Sequence, residues 1–295
     1  MPELPEVETI RRHLAPHVEK RTLERLEIHD ARWSLPLAPA ELSAAVEGRA
    51  VERLGRRGKY LVWELSDDAY LMLHLRMTGT LRLRPPERPL HTRVTFGLGD
   101  GDGELLFVDP RRFGTGELAL GPEALDAFFA ARLGIEPFEP EFTGARLHAI
   151  AQRCRAPIKA MLLDQKRIAG VGNIYADEAL YRARVHPLRR ADALNRRQCE
   201  ALRDAVVASL QAGIEAKGAT IDDFRDPDGV SGSFQDRFLI HLREGEPCLR
   251  CGRSVRKLRA AGRGTYVCEK CQPRPRYAAS ARSARAPSRS ARTSS

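Results

Sequence analysis

Four cysteines near the end of the chain are spaced as metal ligands. Cys248 and Cys251 form one Cys-x2-Cys pair, and Cys268 and Cys271 form a second pair sixteen residues further on. Four thiolates in two such pairs bind Zn²⁺ tetrahedrally and leave no coordination position open for a substrate. We therefore predict one structural zinc ion. Two disulfides are the alternative, which a cytosolic setting disfavours.

The start of the chain, Met-Pro-Glu, offers a different chemistry. Loss of the initiator methionine, which a small second residue permits, would leave Pro2 with a free secondary amine. The ordinary pKa of an α-amino group is about 8, so a useful fraction is neutral and nucleophilic at physiological pH. Its attack on an aldehyde-level carbon gives an iminium ion, which permits elimination at the neighbouring carbon. Glu3 could serve as general acid and base, although Pro-Glu is also typical of a simple helix start.

The net charge of +10 is concentrated in the last fifty residues. Residues 246–273 carry +5 and residues 274–295 carry +6, which leaves −1 for residues 1–245. This concentration favours a polyanionic partner such as nucleic acid, although a basic tail can also serve solubility alone. The sequence contains no long apolar run and no signal peptide, so we expect a cytoplasmic protein that contacts no membrane. We also expect a monomer.

The apolar spacing predicts elements that would position these groups. A helix is predicted over residues 2–18, followed by short runs bounded by Gly, Pro or Asp that favour antiparallel strands. Residues 121–133 read as a helix, and IEPFEPEF, with two prolines and three acids, as a linker. The later pattern is helical over four stretches, at residues 145–153, 158–163, 173–183 and 195–217.

Several separate motifs share one family resemblance. They are MPELPEVETIRR, GRRGKYL, HLRMTGTLR, DPRRFG, GVGNIYADEALYRA and the cysteine finger. With them, residues 1 to about 273 resemble the formamidopyrimidine-DNA glycosylase family, the bacterial 8-oxoguanine repair enzymes. Leu4 stands where the related endonuclease VIII branch usually has Gly.

The resemblance implies an α+β fold with several parts. Residues 1–135 would form an N-terminal antiparallel β-sandwich flanked by helices, joined by a linker at 136–144 to a helical helix-two-turn-helix domain at 145–245 that includes the lesion-recognition loop. A four-cysteine β-hairpin zinc finger would follow at 246–273, and a disordered basic tail at 274–295.

The implied activity is that of a bifunctional DNA glycosylase and AP lyase of base excision repair. It would remove oxidised purines, 8-oxoguanine and formamidopyrimidines, from double-stranded DNA without an organic cofactor. The resemblance assigns the Schiff base to Pro2, proton donation to Glu3, β-elimination to Lys59 and δ-elimination to Arg263. Because arginine is a poor general acid, we interpret Arg263 as a clamp for the departing phosphate.

Other residues match the DNA-contacting positions of the family. Met77, Arg111 and Phe113 match the side chains that occupy the duplex when a base is flipped out. The remaining matches are His74, His91, Arg155, Lys159 and Asn173. Free N–H groups at the start of the helix in GVGNIY suit a phosphate.

The sequence departs from the family in the loop that covers the flipped base. A lysine is missing near Asp222–Asp223, and residues 230–233 are Val-Ser-Gly-Ser in place of Lys-Pro-Gly-Tyr. An endonuclease VIII-like glycosylase for oxidised pyrimidines is therefore one alternative, although Leu4 and DPRRF favour the purine branch. A non-catalytic DNA-binding paralogue is the other, and the joint presence of Pro2, Glu3 and Lys59 argues against it. Glu6 and Glu178 match positions that line the family's site.

Overall fold

The computed structural model describes residues 2–99, 103–221 and 224–275. The predicted tail beyond residue 275 and the divergent positions Asp222 and Asp223 lie outside the described residues. None of the helices within the described ranges is long and apolar enough to cross a membrane.

The helices are α1 Leu4–Val18, α2 Pro39–Val46, α3 Pro122–Ala130, α4 Gly144–Gln152, α5 Ile158–Leu163, α6 Asn173–Arg182 and α7 Arg196–Glu215. The strands are β1 Thr22–Ile28, β2 Arg49–Arg57, β3 Tyr60–Leu65, β4 Ala69–His74, β5 Thr80–Leu83, β6 Thr92–Leu98, β7 Glu104–Val108, β8 Thr115–Leu120, β9 Arg256–Ala260 and β10 Arg263–Val267.

The first eight strands form a folded antiparallel sheet in the order β5-β7-β6-β1-β2-β3-β4-β8. Strands β1 and β2 pair only at Thr22 with Ala50 and at Leu23 with Arg49. This short pairing divides the sheet into two halves, one that ends at β1 and one that begins at β2. Trp63 of one half stacks on Phe96 of the other, with ring centroids 5.2 Å apart. The predicted α+β class with an antiparallel β-sandwich is therefore confirmed.

Helix α1 contributes side chains to two hydrophobic cores. Leu4 belongs to the core of the helical domain, whereas Val7, Ile10 and Leu14 belong to the core of the sandwich. The backbone N–H of Leu4 also donates to the carbonyl of Gly170, at 3.1 Å, in the loop before α6. The first turn of α1 consequently lies where the two domains meet.

Each predicted helix overlaps an observed one, and their ends differ by at most three residues. Helix α1 begins at Leu4 rather than at residue 2, because Glu3 is an extended N-cap residue with φ −102° and ψ −174°. The helix predicted at 121–133 is shorter and spans Pro122–Ala130. Helix α2, Pro39–Val46, is not predicted at all, although Pro39 suits a first helical position.

The finger packs on the helical domain through a small core. Strands β9 and β10 form a two-stranded antiparallel hairpin. The core that joins it to α6 contains few residues: Tyr181, Ile240, Cys248, Val255, Tyr266 and Cys268. A core of this size does not stabilise a hairpin without a further constraint, which a bound metal supplies.

Glu178 supports the segment that leads into the finger. Its carboxylate, wholly buried, accepts backbone N–H groups from Leu239 at 3.0 Å, Ile240 at 2.9 Å and His241 at 3.0 Å. Burial raises the pKa of Glu178, and the three N–H donors oppose that rise. Glu178 thus serves the backbone, and it does not line either of the cavities described below.

We expect Glu178→Ala to lower the free energy of unfolding by about 3 kcal/mol, because it leaves three buried donors without an acceptor. Glu178→Gln retains one acceptor oxygen and should cost less. Urea unfolding of both variants beside the unsubstituted protein measures the two effects. Equal losses in both variants, or no loss in either, would contradict the assignment.

Candidate active site

Glu3 connects the start of α1 to the start of α6. Its side chain is only 2% exposed, and its carboxylate accepts the backbone N–H groups of Ile174 at 3.1 Å and Tyr175 at 3.5 Å. A Cβ at Gly172 would lie 2.1 Å from the Glu3 carboxylate carbon, so this approach requires glycine. The N–H groups predicted to bind a phosphate at this helix start therefore bind Glu3 instead, which corrects that prediction.

Glu6 lies one turn further along α1 and holds three elements together. Its carboxylate accepts the backbone N–H of Glu3, the hydroxyl of Tyr175 and the backbone N–H of Ala219, each at 2.8 Å. Burial, and then the nearby charge of Glu3, raise the pKa of Glu6. The first turn of α1 is therefore tied both to α6 and to the beginning of the loop after α7.

Lys59 reaches the same region from the tight turn between β2 and β3. The side chain is buried, and its Nζ donates to the carbonyl of Val171 at 3.2 Å. Glu136 holds the turn by accepting the backbone N–H of Gly58 and a guanidinium N–H of Arg56. Burial lowers the pKa of Lys59, and the charge of Arg263 acts in the same direction against the opposing charge of Glu3. A larger fraction of this amine is consequently neutral than in an exposed lysine.

Two adjoining cavities bring most of the predicted site residues together. The first, of about 240 Å³, contains both Pro2 and Glu3, and the second, of about 510 Å³, contains Lys59. Three residues line both cavities: Met77, Asn173 and Arg263. Arg111 lines the first cavity. His74 and Phe113 line the second.

The protonation state of His74 follows from its surroundings. Its Nδ1 accepts the backbone N–H of Arg76 at 2.9 Å, and its ring lies edge-on against Tyr60 at 4.6 Å. Burial, followed by the charges of Arg76 and Lys59, lowers the pKa of His74 to about 3. The ring is therefore neutral, and because Nδ1 accepts, the proton is on Nε2, which can donate to a ligand.

Three predicted DNA-contacting residues lie outside the cavities. His91 is exposed in a turn with φ 69°, and Arg155 is exposed beside α5. Lys159 is 0% exposed, and its Nζ donates to Asp177 at 2.7 Å, Thr265 at 2.7 Å and the carbonyl of Gly264 at 3.3 Å. All three N–H donors of that ammonium are used within the protein, so the predicted contact of Lys159 with a DNA phosphate is corrected. Lys159 instead positions the finger hairpin through Gly264 and Thr265.

Some residues of the site carried no assignment from the sequence. His241 lines the first cavity, and its Nδ1 contacts Asp177 at 2.8 Å. No motif around His241 indicates this position, because the contact depends on how the segment before the finger folds back. Asp109 and Thr78, in contrast, stand inside two of the motifs, DPRRFG and HLRMTGTLR, and form a hydrogen bond of 2.5 Å with each other.

The four cysteines of the finger have the geometry of a zinc site. Their sulfur atoms all lie within 4.8 Å of one another. The separations are 3.5 Å between Cys251 and Cys268 and 3.8 Å between Cys248 and Cys271. Zn–S bonds of about 2.3 Å in a tetrahedron require S···S separations of roughly 3.8 Å, so the donor set fits Zn²⁺. The Tyr181 hydroxyl lies 3.2 Å from the sulfur of Cys248, where it can donate to a thiolate.

Three family models match successive parts of the chain. The Formamidopyrimidine-DNA glycosylase N-terminal domain matches residues 1–116, and the Formamidopyrimidine-DNA glycosylase H2TH domain matches residues 133–225. The zinc finger found in FPG and IleRS matches residues 245–274. The three matches follow the order of the sandwich, the helical domain and the cysteine hairpin.

Individual proteins agree over nearly the whole chain. The formamidopyrimidine-DNA glycosylase of Heliobacterium modesticaldum is 43% identical over 92% of this chain and 100% of its own length. The crystal structure of the MutM (Fpg) protein from Thermus thermophilus has a TM-score of 0.83 and 41% identity, covering 92% of this chain and 98% of that one. The Lactococcus lactis Fpg, solved in a complex with DNA containing an abasic site, has a TM-score of 0.86 and 34% identity, covering 92% and 100%.

We expect the purified chain to contain about one zinc ion per molecule, and Cys251→Ser to lose it because one of four thiolate ligands is removed. Cys154→Ser is the matched control, since Cys154 is a buried thiol outside the cluster. Inductively coupled plasma mass spectrometry measures the metal. Zinc retained by Cys251→Ser, or lost equally by Cys154→Ser, would contradict the assignment.

Proposed function

Since this chain belongs to the formamidopyrimidine-DNA glycosylase family, it is a DNA glycosylase and AP lyase of base excision repair, and we propose that the nitrogen of Pro2 carries out its chemistry. The substrate is duplex DNA that contains an oxidised purine, 8-oxoguanine or a formamidopyrimidine. The bacterial cytoplasm, where chromosomal DNA is found, is the proposed location. A single structural zinc ion belongs to the finger.

The reaction begins with attack of the Pro2 nitrogen on C1′ of the damaged nucleotide. The lone pair of nitrogen forms the C1′–N bond, the glycosidic bond breaks, and the departing base takes up a proton. Opening of the sugar ring then gives an iminium ion, with Glu3 as the donor that protonates the ring oxygen. Support comes from the position of both residues in the wall of the first cavity.

Strand cleavage follows from the iminium ion. Loss of a proton from C2′ expels the 3′ phosphate by β-elimination, and a second, δ-elimination releases the 5′ phosphate. A neutral amine is needed to accept a proton, and burial lowers the pKa of Lys59 toward that state. Arg263 is exposed at the shared wall of the two cavities, where its guanidinium would bind the departing phosphate.

The DNA contacts extend outward from the same cavities. Met77, Arg111 and Phe113 fill the space that the flipped nucleotide vacates: Met77 and Phe113 enter the base stack, and Arg111 offers donors to the orphaned cytosine. The backbone of the kinked strand is bound by four further residues: His74, His91, Arg155 and Asn173. The exposed Phe113 ring, already beneath the Arg111 guanidinium at 4.8 Å, supports a paired insertion of these two side chains.

One observation carries this proposal. Two adjoining cavities are lined by residues from distant parts of the chain. These parts are the start of α1, the β2–β3 turn, the loops that carry the three residues proposed to enter the duplex, and the first residue of β10. The two cavities share Met77, Asn173 and Arg263. A DNA-binding scaffold without catalysis does not require a buried lysine in a cavity that adjoins the cavity of Pro2.

The choice of damaged base depends on the loop after α7. Its residues Ala219, Ile221 and Phe224 line the first cavity and present mainly apolar surface. A mutant of the Lactococcus lactis Fpg has been solved with DNA containing Fapy-dG, and the wild-type protein with DNA containing an oxidised pyrimidine. Oxidised purines are the proposed substrates, and oxidised pyrimidines are the second candidate because that relative accommodates both.

We expect borohydride reduction during the reaction with an 8-oxoguanine:C duplex to link the DNA covalently to the peptide that begins at Pro2. The iminium carbon accepts hydride and becomes a stable amine. Mass spectrometry of the digested adduct identifies the attached residue. Pro2→Gly should abolish the adduct while binding of a duplex with a tetrahydrofuran abasic analogue is retained.

Four outcomes would reject parts of this function. Attachment of the sugar to a lysine, or full activity of protein that retains Met1, would remove Pro2 from the mechanism. Binding without any adduct would instead favour the non-catalytic alternative. Faster release of thymine glycol than of 8-oxoguanine from otherwise identical duplexes would assign the enzyme to oxidised pyrimidines.

We expect His74→Ala to weaken binding of the tetrahydrofuran duplex about tenfold, through loss of one hydrogen bond to a charged acceptor. The loss should be the same at pH 5.5 and pH 7.5, because a pKa of about 3 leaves the ring neutral at both values. Fluorescence anisotropy at constant salt measures the affinities. A loss that appears only at the lower pH would show that a protonated ring makes the contact.

A further inference from the structure

The carboxylate of Asp109 has no role in the proposed mechanism, yet it accepts four hydrogen bonds. Asp109 is 1% exposed. Its Oδ1 accepts the hydroxyl of Thr78 at 2.5 Å and the backbone N–H of Arg111 at 3.2 Å. Its Oδ2 accepts the backbone N–H groups of Phe113 at 2.8 Å and Gly114 at 2.7 Å.

These four donors come from two separate loops. Thr78 follows Met77 in the loop between β4 and β5, whereas Arg111, Phe113 and Gly114 belong to the loop between β7 and β8. The hydroxyl of Thr78 is the side chain through which Asp109 reaches the first loop. One carboxylate therefore connects the loop of Met77 with the loop that carries Arg111 and Phe113.

The backbone of Asp109 extends the same connection to a third turn. Its N–H donates to the carbonyl of His91 at 3.0 Å, and its carbonyl accepts the Nε of Arg93 at 2.9 Å. On the far side of the loop, the guanidinium of Arg112 forms two hydrogen bonds with Asp30. The loop between β7 and β8 is thus fixed at both of its ends before any ligand arrives.

Gly114 packs closely against both the Phe107 ring and the Asp109 carboxylate. A Cβ at Gly114 would lie 2.3 Å from the Phe107 ring and 3.2 Å from Oδ2 of Asp109. The N–H of Gly114 can approach the carboxylate only because position 114 has no side chain. A buried carboxylate in a fixed position that accepts several N–H groups sets the backbone geometry of the residues that donate them.

We propose that Asp109 is a positioning residue that holds the three wedge side chains, Met77, Arg111 and Phe113, in one arrangement before DNA binds. This inference rests on the proposed function. Insertion into a duplex orders every side chain that enters it, and a wedge that is already ordered loses less conformational entropy on insertion. Asp109 itself lines neither cavity.

The test separates wedge insertion from the chemistry at Pro2. Asp109→Asn preserves the shape of the side chain but sets an NH₂ group against N–H donors. Thr78→Val removes the hydroxyl that joins the two loops at nearly the same side-chain size, and because Thr78 also lines the first cavity, single-strand trapping checks that the chemistry at Pro2 is intact. Glu64→Gln is the matched control, because Glu64 on β3 pairs with Arg53 at 2.9 Å and lines neither cavity.

Two substrates are compared under single turnover. Excision of 8-oxoguanine from a duplex needs the wedge, whereas borohydride trapping of an abasic site in single-stranded DNA needs only the chemistry at Pro2. We expect Asp109→Asn to slow duplex excision by about tenfold to a hundredfold, and Thr78→Val by about fivefold. Single-strand trapping should remain unchanged in both, and Glu64→Gln should change neither reaction.

A fluorescent base reports insertion of the wedge directly, and a general loss of protein stability would not slow this insertion selectively. With 2-aminopurine next to a tetrahydrofuran abasic analogue, unstacking by the wedge increases the fluorescence. Asp109→Asn and Thr78→Val should slow this increase while the affinity for undamaged duplex is retained. Should Asp109→Asn fail to fold, Thr78→Val decides the question alone.

Unchanged duplex excision in Thr78→Val and Asp109→Asn would overturn the positioning role. A parallel fall of duplex excision and single-strand trapping would overturn it as well, since the defect would then lie in the reaction centre. Absence of single-strand trapping in the unsubstituted protein would instead contradict the role of Pro2, so the two failures can be distinguished.

Discussion

The carboxylate of Glu3 lies against the first N–H groups of helix α6, and this contact fixes the start of α1 at the junction of the two domains. The end of a chain is ordinarily among its most mobile parts, which is unfavourable for a nucleophile. Here Glu3 and Glu6 together bind the neighbouring domain through backbone and side-chain donors. The absence of a side chain at Gly172 permits the approach. The proposed nucleophile, the nitrogen of Pro2, is consequently positioned by two buried acids one and four residues away.

A second buried charge fixes the finger hairpin from the helical domain. An ion pair such as Lys159 with Asp177 loses its hydration on burial, and it stabilises the fold only when its other donors are also satisfied. Thr265 and the carbonyl of Gly264 satisfy them. Because those two residues directly follow Arg263, the ion pair also fixes the backbone position from which the Arg263 side chain extends. Zinc constrains the cysteine end of the hairpin, and Lys159 constrains the end nearest the cavities.

Sequence reasoning succeeded where the signal is periodic or chemical. The strands, the long helices and the cysteine quartet follow from spacing alone, and the fold class and zinc site are confirmed. It failed where one side chain satisfies distant backbone groups. Lys159 matched a DNA-contacting position, and the N–H groups of α6 looked free, because neither Asp177 nor Glu3 is near them in sequence. Asp109 stood inside a motif without an assigned role for the same reason. The domain boundaries and the roles of individual site residues stay predictions.

The division of α1 between two hydrophobic cores has a consequence for protein engineering. Leu4 packs with one domain, and Val7 and Ile10 pack with the other. A chimaera that exchanges whole domains between homologues has no neutral crossover point at its N-terminus, because any cut inside this helix pairs half of it with an unfamiliar core. Recombination libraries therefore need to inherit α1 with compatible partners on both sides, and natural shuffling faces the same restriction.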